Sequence, residues 1–471
     1  MRKRVLPTCR PASIFVLLSL TLGSIIIFAN PPLRGPDEIA HFLRIYSYSR
    51  GELLPVTEIK ARKGIFVSPE LYNQLYFFKT AGEVFARSRE EGGMRYGQIM
   101  AAYSKLADTH ANETEQASMF APFAGTEGYN PVAYIPYIVA AEIGHLLRLD
   151  FPTMLLLMRF FGLLAFTAVA AYAIAVTPTL KWAFVLIAML PVSLYNRAVL
   201  SADGAALSYT LAITAMCFSA AARKCVVGQV WERSLWMTLC ALSKQPQIIF
   251  VLLELMVYRL KELPRRWRSL AIVVLPGLIL SPLWVVAVSA DIAIWRLLEE
   301  HSDSSEQFDP VWKLLYMWDH PSHFPLVAWS ALSGWAGRLW QELIGIVGWQ
   351  DILLRPWTYL VLTVLLLLVP LQKLHLDGAV RARVIIVSGL AVLGYVVLVY
   401  LIFFLIYTPI DTDHVRGVQG RYFVVALPVA GIFIAAVINR ELPRGLPAAI
   451  AIAGSMIAGI TTVESVLRAH W

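Results

Sequence analysis

Charge is scarce in this 471-residue chain: Asp, Glu, Lys and Arg make up 15% of it, against 58% hydrophobic residues. Mean hydropathy is +0.62. A soluble domain could not cover so much apolar surface, which excludes the soluble classes. Cysteine is scarcer still. The four present, Cys9, Cys217, Cys225 and Cys240, form no CxxC and no Cys/His cluster, against both a structural zinc site and a disulfide framework. Glycine-rich phosphate loops, HExxH and a Ser-His-Asp order are missing too, so soluble-type NTPases and hydrolases lack their motifs. Internal repeats and low-complexity tracts are absent, and no long linker separates a soluble domain.

What the chain does have is apolar runs of about 17 to 25 residues, the length that crosses a bilayer. They predict an all-α polytopic membrane protein with about 10 to 13 transmembrane or re-entrant helices. Lys+Arg 40 exceeds Asp+Glu 32, but the excess lies in short loops, so it reports orientation and argues against nucleic-acid binding. Arg2, Lys3, Arg4 and Arg10 precede the apolar Pro11 to Phe28, which reads as an uncleaved first helix with its N-terminus cytoplasmic. Residues 1–471 form a single integral membrane domain. Within it 30–130 is a large first outer loop of short interfacial helices, and 291–355 is a second outer segment rich in tryptophan, from Trp295 to Trp349.

Two segments are ambiguous. Tyr129–Leu149 carries Pro131, Pro136, Glu142, His145 and Arg148, and either crosses or dips. Leu235–Tyr258 is flanked by basic residues on both sides (Arg223 and Lys224, then Arg259, Lys261 and Arg265) and is broken at Ser243-Lys244-Gln245-Pro246-Gln247. Basic loops at both ends favour a re-entrant hairpin, with legs of about ten residues reaching about 15 Å each. If both segments dip, Asp203 shares the outer face with Asp37.

The stretch around which the chain is organised is Asn30 to Leu54. Pro36 suits a helix start, Asp37 and Glu38 suit the first turn, and Gly51 offers a stop. On that helix Asp37, His41 and Arg44 form one stripe, and Glu38, Phe42 and Ile45 its neighbour. The bland alternative is a well-capped interfacial helix. A second polar cluster spans Thr408 to Tyr422. There Asp411 and Asp413 are spaced to hold a divalent cation such as Mg or Mn, unless they are solvated loop acids. Arg416 and Arg421 can grip a phosphate, although an arginine starting a span also snorkels to lipid. Lys244, placed mid-bilayer, needs a partner or a water-filled cavity. Asp203 reads as a helix cap, and His320 with His323 as loop histidines spaced to share a metal.

The segments PPLRGPDEIAHFLRIYSYSRGEL, YNPVAYIPY, SADG, LSKQP, IGIVGW and VQGRYFVVALPV occur in this order between about residues 30 and 440. They resemble the DUF2142 family of bacterial membrane proteins, grouped with the GT-C glycosyltransferases. That resemblance implies a multi-pass enzyme of the bacterial inner membrane with an extracytoplasmic active face. It would transfer a sugar from a polyprenyl-phosphate donor to a glycan or glycolipid acceptor. On this reading Asp37, or Glu38, is the base and His41 orients it. Arg421, Arg416 and Lys244 take the phosphate, and Arg44, Gln419 and Tyr422 complete the substrate contacts. A flippase for a lipid-linked saccharide and a non-catalytic scaffold for envelope polysaccharide assembly are the rival classes. An enzyme needs Asp37 and the arginines around one pocket; a scaffold does not.

Overall fold

The computed structural model describes residues 11–57, 63–85, 87, 92–110, 118–123, 125–223, 229–289, 310–409 and 412–471. Expectations for Lys224, Trp295 and Asp411 lie outside these residues. Seven helices among the described residues are long and apolar enough to cross a membrane, and three shorter ones are apolar. The chain is an all-α polytopic membrane protein.

The first crossing helix, α1 (Pro11–Ala29), leads into α2 (Glu38–Ser49). A three-stranded antiparallel sheet follows, β1 (Val56–Thr57), β2 (Lys63–Val67) and β3 (Met119–Pro122), with Val56 opposite Gly64 and Ile65 opposite Ala121. Helices α3 (Pro69–Phe85) and α4 (Tyr96–His110) fill the β2–β3 connection. The sequence predicts only short helices in this loop. The strands escape notice because they have two, five and four residues, too few to show an alternation.

Next come α5 (Ile135–Leu146) and α6 (Phe151–Val176). Tyr137 lies against Gly162, and Gly144 against Met154, so the two helices run antiparallel. The apolar α5 has 12 residues; it starts beside the middle of α6 and ends beside its beginning. A helix broken at Leu190, α7 (Lys181–Met189) and α8 (Pro191–Ala198), then precedes α9 (Ala202–Arg223). The α9 span is the most enclosed, 94% buried, because its Ala, Gly, Ser and Thr residues let neighbours approach closely. It sets Asp203 at the centre of one end of the bundle.

The segment predicted to re-enter does fold back on itself. Its legs are α10 (Val230–Ser243) and a 3-10 helix, Gln245–Met256, and Lys244 between them is extended (φ −148°, ψ 143°). Arg233, near the start of the first leg, donates from Nε and Nη2 to Glu254, near the end of the second, both at 2.9 Å. The Tyr258 hydroxyl donates to Glu254 at 2.8 Å. This buried network closes the base of the hairpin and leaves Lys244 at its tip.

Helix α11 (Leu263–Ser289) carries Pro276 and Pro282, tolerated where packed neighbours satisfy the freed backbone groups. The outer helices α12 (Pro310–Asp319) and α13 (His323–Gly345) expose Trp312, Trp318, Trp329 and Trp335, as interfacial helices do. His320 stacks on Tyr316 at 4.2 Å and His323 meets the same ring edge-on at 5.0 Å. The bundle closes with α14 (Pro356–Leu368), α15 (Gly378–Ile406), a 3-10 turn Gly420–Ala426 running into α16 (Leu427–Ile438), and α17 (Leu446–His470).

Candidate functional site

Asp37 and Glu38 are neighbours in sequence and part company in space. Glu38 is fully buried. Its carboxylate accepts from Arg159 Nε at 2.8 Å and Nη2 at 2.7 Å, from the Leu200 N–H at 2.9 Å and from the Gly35 N–H at 2.8 Å. Arg159 also donates to the carbonyls of Asn30 and Pro31, each at 2.8 Å. Both Glu38 oxygens are thus spent on joining α1, α2, α6 and the α8–α9 link. Glu38 is structural, which corrects its expected place among the catalytic residues.

Asp37 stands just before α2 in the left-handed region (φ 53°, ψ 25°), which Asp tolerates better than most residues. It makes no capping bond. Its side chain is 47% exposed, and Oδ2 accepts from Arg421 Nη2 at 2.9 Å. Arg421 is held in place by the glycine before it. The Gly420 N–H donates to Glu342 at 2.7 Å, and a Cβ there would lie 1.9 Å from the Leu339 carbonyl oxygen. Only glycine lets the loop lie this close to α13.

A cavity of about 440 Å³ opens beside this pair. Asp37, Lys244, Gln419 and Tyr422 line it, together with Tyr129 and Tyr395, while Val399, Ile402, Phe403 and Ile406 of α15 form an apolar wall. At the hairpin tip Lys244 forms an ion pair with Asp203, and its ammonium lies 5.4 Å from the Tyr129 ring and 5.2 Å from the Tyr422 ring. The N–H of Asp203 donates to Ser201 Oγ at 3.0 Å. Ser201 is therefore the cap of α9, and the Asp203 carboxylate is left to neutralise Lys244. Lys244 and the carboxylates of Asp37 and Glu127 line the cavity, while Arg421 and Asp203, paired with Asp37 and Lys244, line a separate small pocket; the arrangement suits an amphiphile whose anionic group can take over the cations.

The His41 ring is nearby but does not bond to the Asp37 carboxylate; the two residues are joined through the backbone, His41 N–H donating to the Asp37 carbonyl at 2.9 Å. Its Nδ1 shares a hydrogen bond of 2.6 Å with the Tyr134 hydroxyl, and its ring stacks on Tyr129 at 5.6 Å. Burial pushes its pKa from 6.5 down to about 4, against the raising effect of Asp37 and Asp203. A neutral imidazole positions Tyr129, which corrects its expected role of orienting Asp37. Arg44 lies about 10 Å further along α2. It is buried, donates to the Leu53 carbonyl at 3.1 Å, and stacks over Tyr48 and Phe123. It does not line the cavity, so its expected phosphate contact is corrected as well.

Arg416 belongs to a second opening of about 530 Å³, lined by Trp335, Arg338, Glu342 and His414. It does not line the Asp37 cavity. Asp413 is 94% exposed and paired with His414 at 2.8 Å, turned to solvent. Among the described residues no group of three or more His, Cys, Asp or Glu is placed to hold a metal ion. Sequence reasoning passed over Glu127, Tyr129 and Tyr395, all of which line the cavity. The one signal for Glu127 was an acid between two glycines, Gly125-Thr126-Glu127-Gly128, just before the Tyr129–Leu149 segment.

Fold and cavity together define a multi-pass α-helical membrane protein with a charged, ligand-sized cavity at one end of its bundle. The chain belongs to the DUF2142 family, described as predicted membrane proteins, whose family model matches residues 20–430. No curated protein and no solved structure matches it.

Proposed function

We propose that this protein is a GT-C-type glycosyltransferase of the bacterial inner membrane. It takes a sugar from a polyprenyl-phosphate donor and passes it to a glycan or glycolipid acceptor on the extracytoplasmic face. The observation that carries the reading is the Asp37–Arg421 pair at 2.9 Å, whose carboxylate lines the cavity that Lys244 and an apolar wall also line. That meets the requirement of a base and a phosphate clamp within reach of one sugar phosphate. Positive-inside counting supports the orientation. Arg381 and Arg383 bond the carbonyls of Ala436 and Met256 at the hairpin's base, the end opposite the cavity.

Catalysis then needs three things from this chain. The donor phosphate draws Arg421 away from Asp37 and Lys244 away from Asp203, and the freed Asp37 carboxylate faces the acceptor hydroxyl. The acceptor oxygen bonds to the anomeric carbon as the bond from that carbon to the phosphate oxygen breaks. The leaving phosphate keeps the electron pair, and Asp37 receives the hydroxyl proton. A single displacement of this kind inverts the anomeric centre. Tyr129 and Tyr422 flank Lys244, and the α15 wall receives the first isoprene units.

Asp37→Asn is the test. Transfer is expected to fall by about 10²- to 10⁴-fold, the range of general-base catalysis, with expression and donor binding retained. Full activity in that variant removes Asp37 as base. A flippase reading draws on the hairpin broken at Lys244 and would give lipid translocation without product, which the same assay separates.

A further inference from the structure

The loop Gly125 to Asn130 forms one wall of the cavity and is clamped almost everywhere. Thr126 Oγ1 donates to the carbonyls of Ala40 at 3.0 Å and Phe123 at 2.9 Å. The Gly128 carbonyl accepts from Gln245 Nε2 and Trp284 Nε1, both at 3.1 Å. The Tyr129 carbonyl accepts from the Tyr48 hydroxyl at 2.6 Å. Gly125 adopts φ 96°, which permits the turn.

Glu127 is the exception. It lines the same cavity and is only 5% exposed, yet no hydrogen bond or ion pair reaches its carboxylate among the described residues. The charge of Arg44, beside Phe123 and Trp284, acts on it from a distance. Its oxygens are not sealed inside the protein; they open to the cavity, where the donors of a ligand can reach them. A rigid loop that holds an acceptor-only group against a cavity is a site waiting for donors. A phosphate would be repelled there, and neutral hydroxyls would be welcome.

We propose that Glu127 is the sugar-recognition residue of this cavity, accepting two hydroxyls of the donor's saccharide ring while Lys244 and Arg421 hold its phosphate. The assignment rests on the transferase reading above and adds to it the order of the ligand: ring towards the Gly125–Asn130 loop, phosphate between the hairpin tip and the 3-10 turn. Specificity follows from the same geometry. A sugar lacking the paired hydroxyls leaves the carboxylate unsatisfied and is rejected.

The test compares two probes on the full-length protein in detergent: a short-chain polyprenyl phosphate, and the same lipid carrying a hexose or pentose from a panel. Wild type is expected to bind at least one sugar-bearing lipid more tightly than the bare one. E127Q is expected to lose about tenfold of that preference while binding the bare lipid as wild type does. An E127Q that weakens both probes equally, or neither, overturns the assignment and leaves the transferase reading standing. An E127Q that keeps the sugar preference but loses transfer also overturns it, by making Glu127 a base. Wild type that binds neither probe refutes the transferase reading and this assignment with it.

Discussion

Replacing Glu38 by Gln should wreck the protein, whereas the same change one residue earlier should leave it folded. Each Glu38 oxygen accepts two hydrogen bonds, one from Arg159 and one from a backbone N–H. An amide can replace only one of those oxygens. Its NH2 would face two donors, and Arg159, 1% exposed, would be left with an uncompensated charge. Breaking a buried ion pair from one side costs about 3–5 kcal/mol, a large share of the roughly 5–15 kcal/mol that holds a domain together. Asp37 risks far less, because it is half exposed and contributes one bond to Arg421, on the order of 1 kcal/mol. Thermal unfolding of the purified variants in detergent, followed by intrinsic fluorescence, reads the difference. Glu38→Gln should melt well below wild type and Asp37→Asn close to it. Adding Arg159→Met to Glu38→Gln should recover part of the loss, since it removes the stranded charge. A Glu38→Gln protein with a wild-type melting curve and no transferase activity would refute the structural role. A double variant no more stable than the single one would refute the stranded charge as the cause.

Gly420→Ala should act on the site from behind: the new Cβ meets the Leu339 carbonyl oxygen at 1.9 Å and Glu342 Cβ at 2.8 Å, so the loop must move. A loss of about 1–3 kcal/mol is expected, along with weaker binding of bare polyprenyl phosphate because Arg421 is displaced; unchanged melting and binding would show that the close approach does not matter. His41 gives a pH signal. Its pKa is about 4 in the folded protein against 6.5 unfolded, so between those values the unfolded chain binds a proton that the folded one refuses. Its contribution to stability is therefore intact above pH 6.5 and is lost as the pH falls towards 4. Melting curves of His41→Gln should fall less steeply than wild type across that window, and parallel curves would count against a buried neutral imidazole.

Much of the architecture was legible because the bilayer permits few solutions. The breaker Ser243-Lys244-Gln245 with basic residues at both ends favoured a fold-back over a full crossing, and the Arg233–Glu254 pair is its closed base. Asp37, Gln419 and Tyr422 stood at span boundaries in the sequence while Lys244 read as mid-bilayer; the fold-back brings Lys244 to the cavity the others line, and Arg421 reaches it through Asp37. What could not be read is which of two adjacent acids points where. Consecutive helical residues diverge by about 100°, and the direction of the stripe is fixed only by Arg159, which lies 121 positions away from Glu38. Arg44 sits on the predicted stripe, yet a stripe has length, and the cavity reaches only its first turn. Glu127 was hard to read for a different reason: nothing local tells a carboxylate facing a cavity from one facing bulk solvent in a glycine turn.

The hairpin also constrains how the protein enters the membrane. Its two legs carry Arg233, Lys244 and Glu254 into apolar surroundings, and each such charge alone costs roughly 2.5–3.5 kcal/mol on insertion scales. Their partners are Asp203 at one end of α9 and, within the hairpin, Arg233 with Glu254; Cys217, further along α9, also donates to Glu254 at 3.6 Å. A nascent chain cannot leave these charges in lipid while it waits. Because α9 precedes the hairpin in the chain, Asp203 is available when Lys244 arrives, and the Arg233–Glu254 pair lets the hairpin enter as a pre-paired unit. A variant lacking Asp203 strands Lys244 without its partner, and its amount in the membrane should fall before any question of catalysis arises.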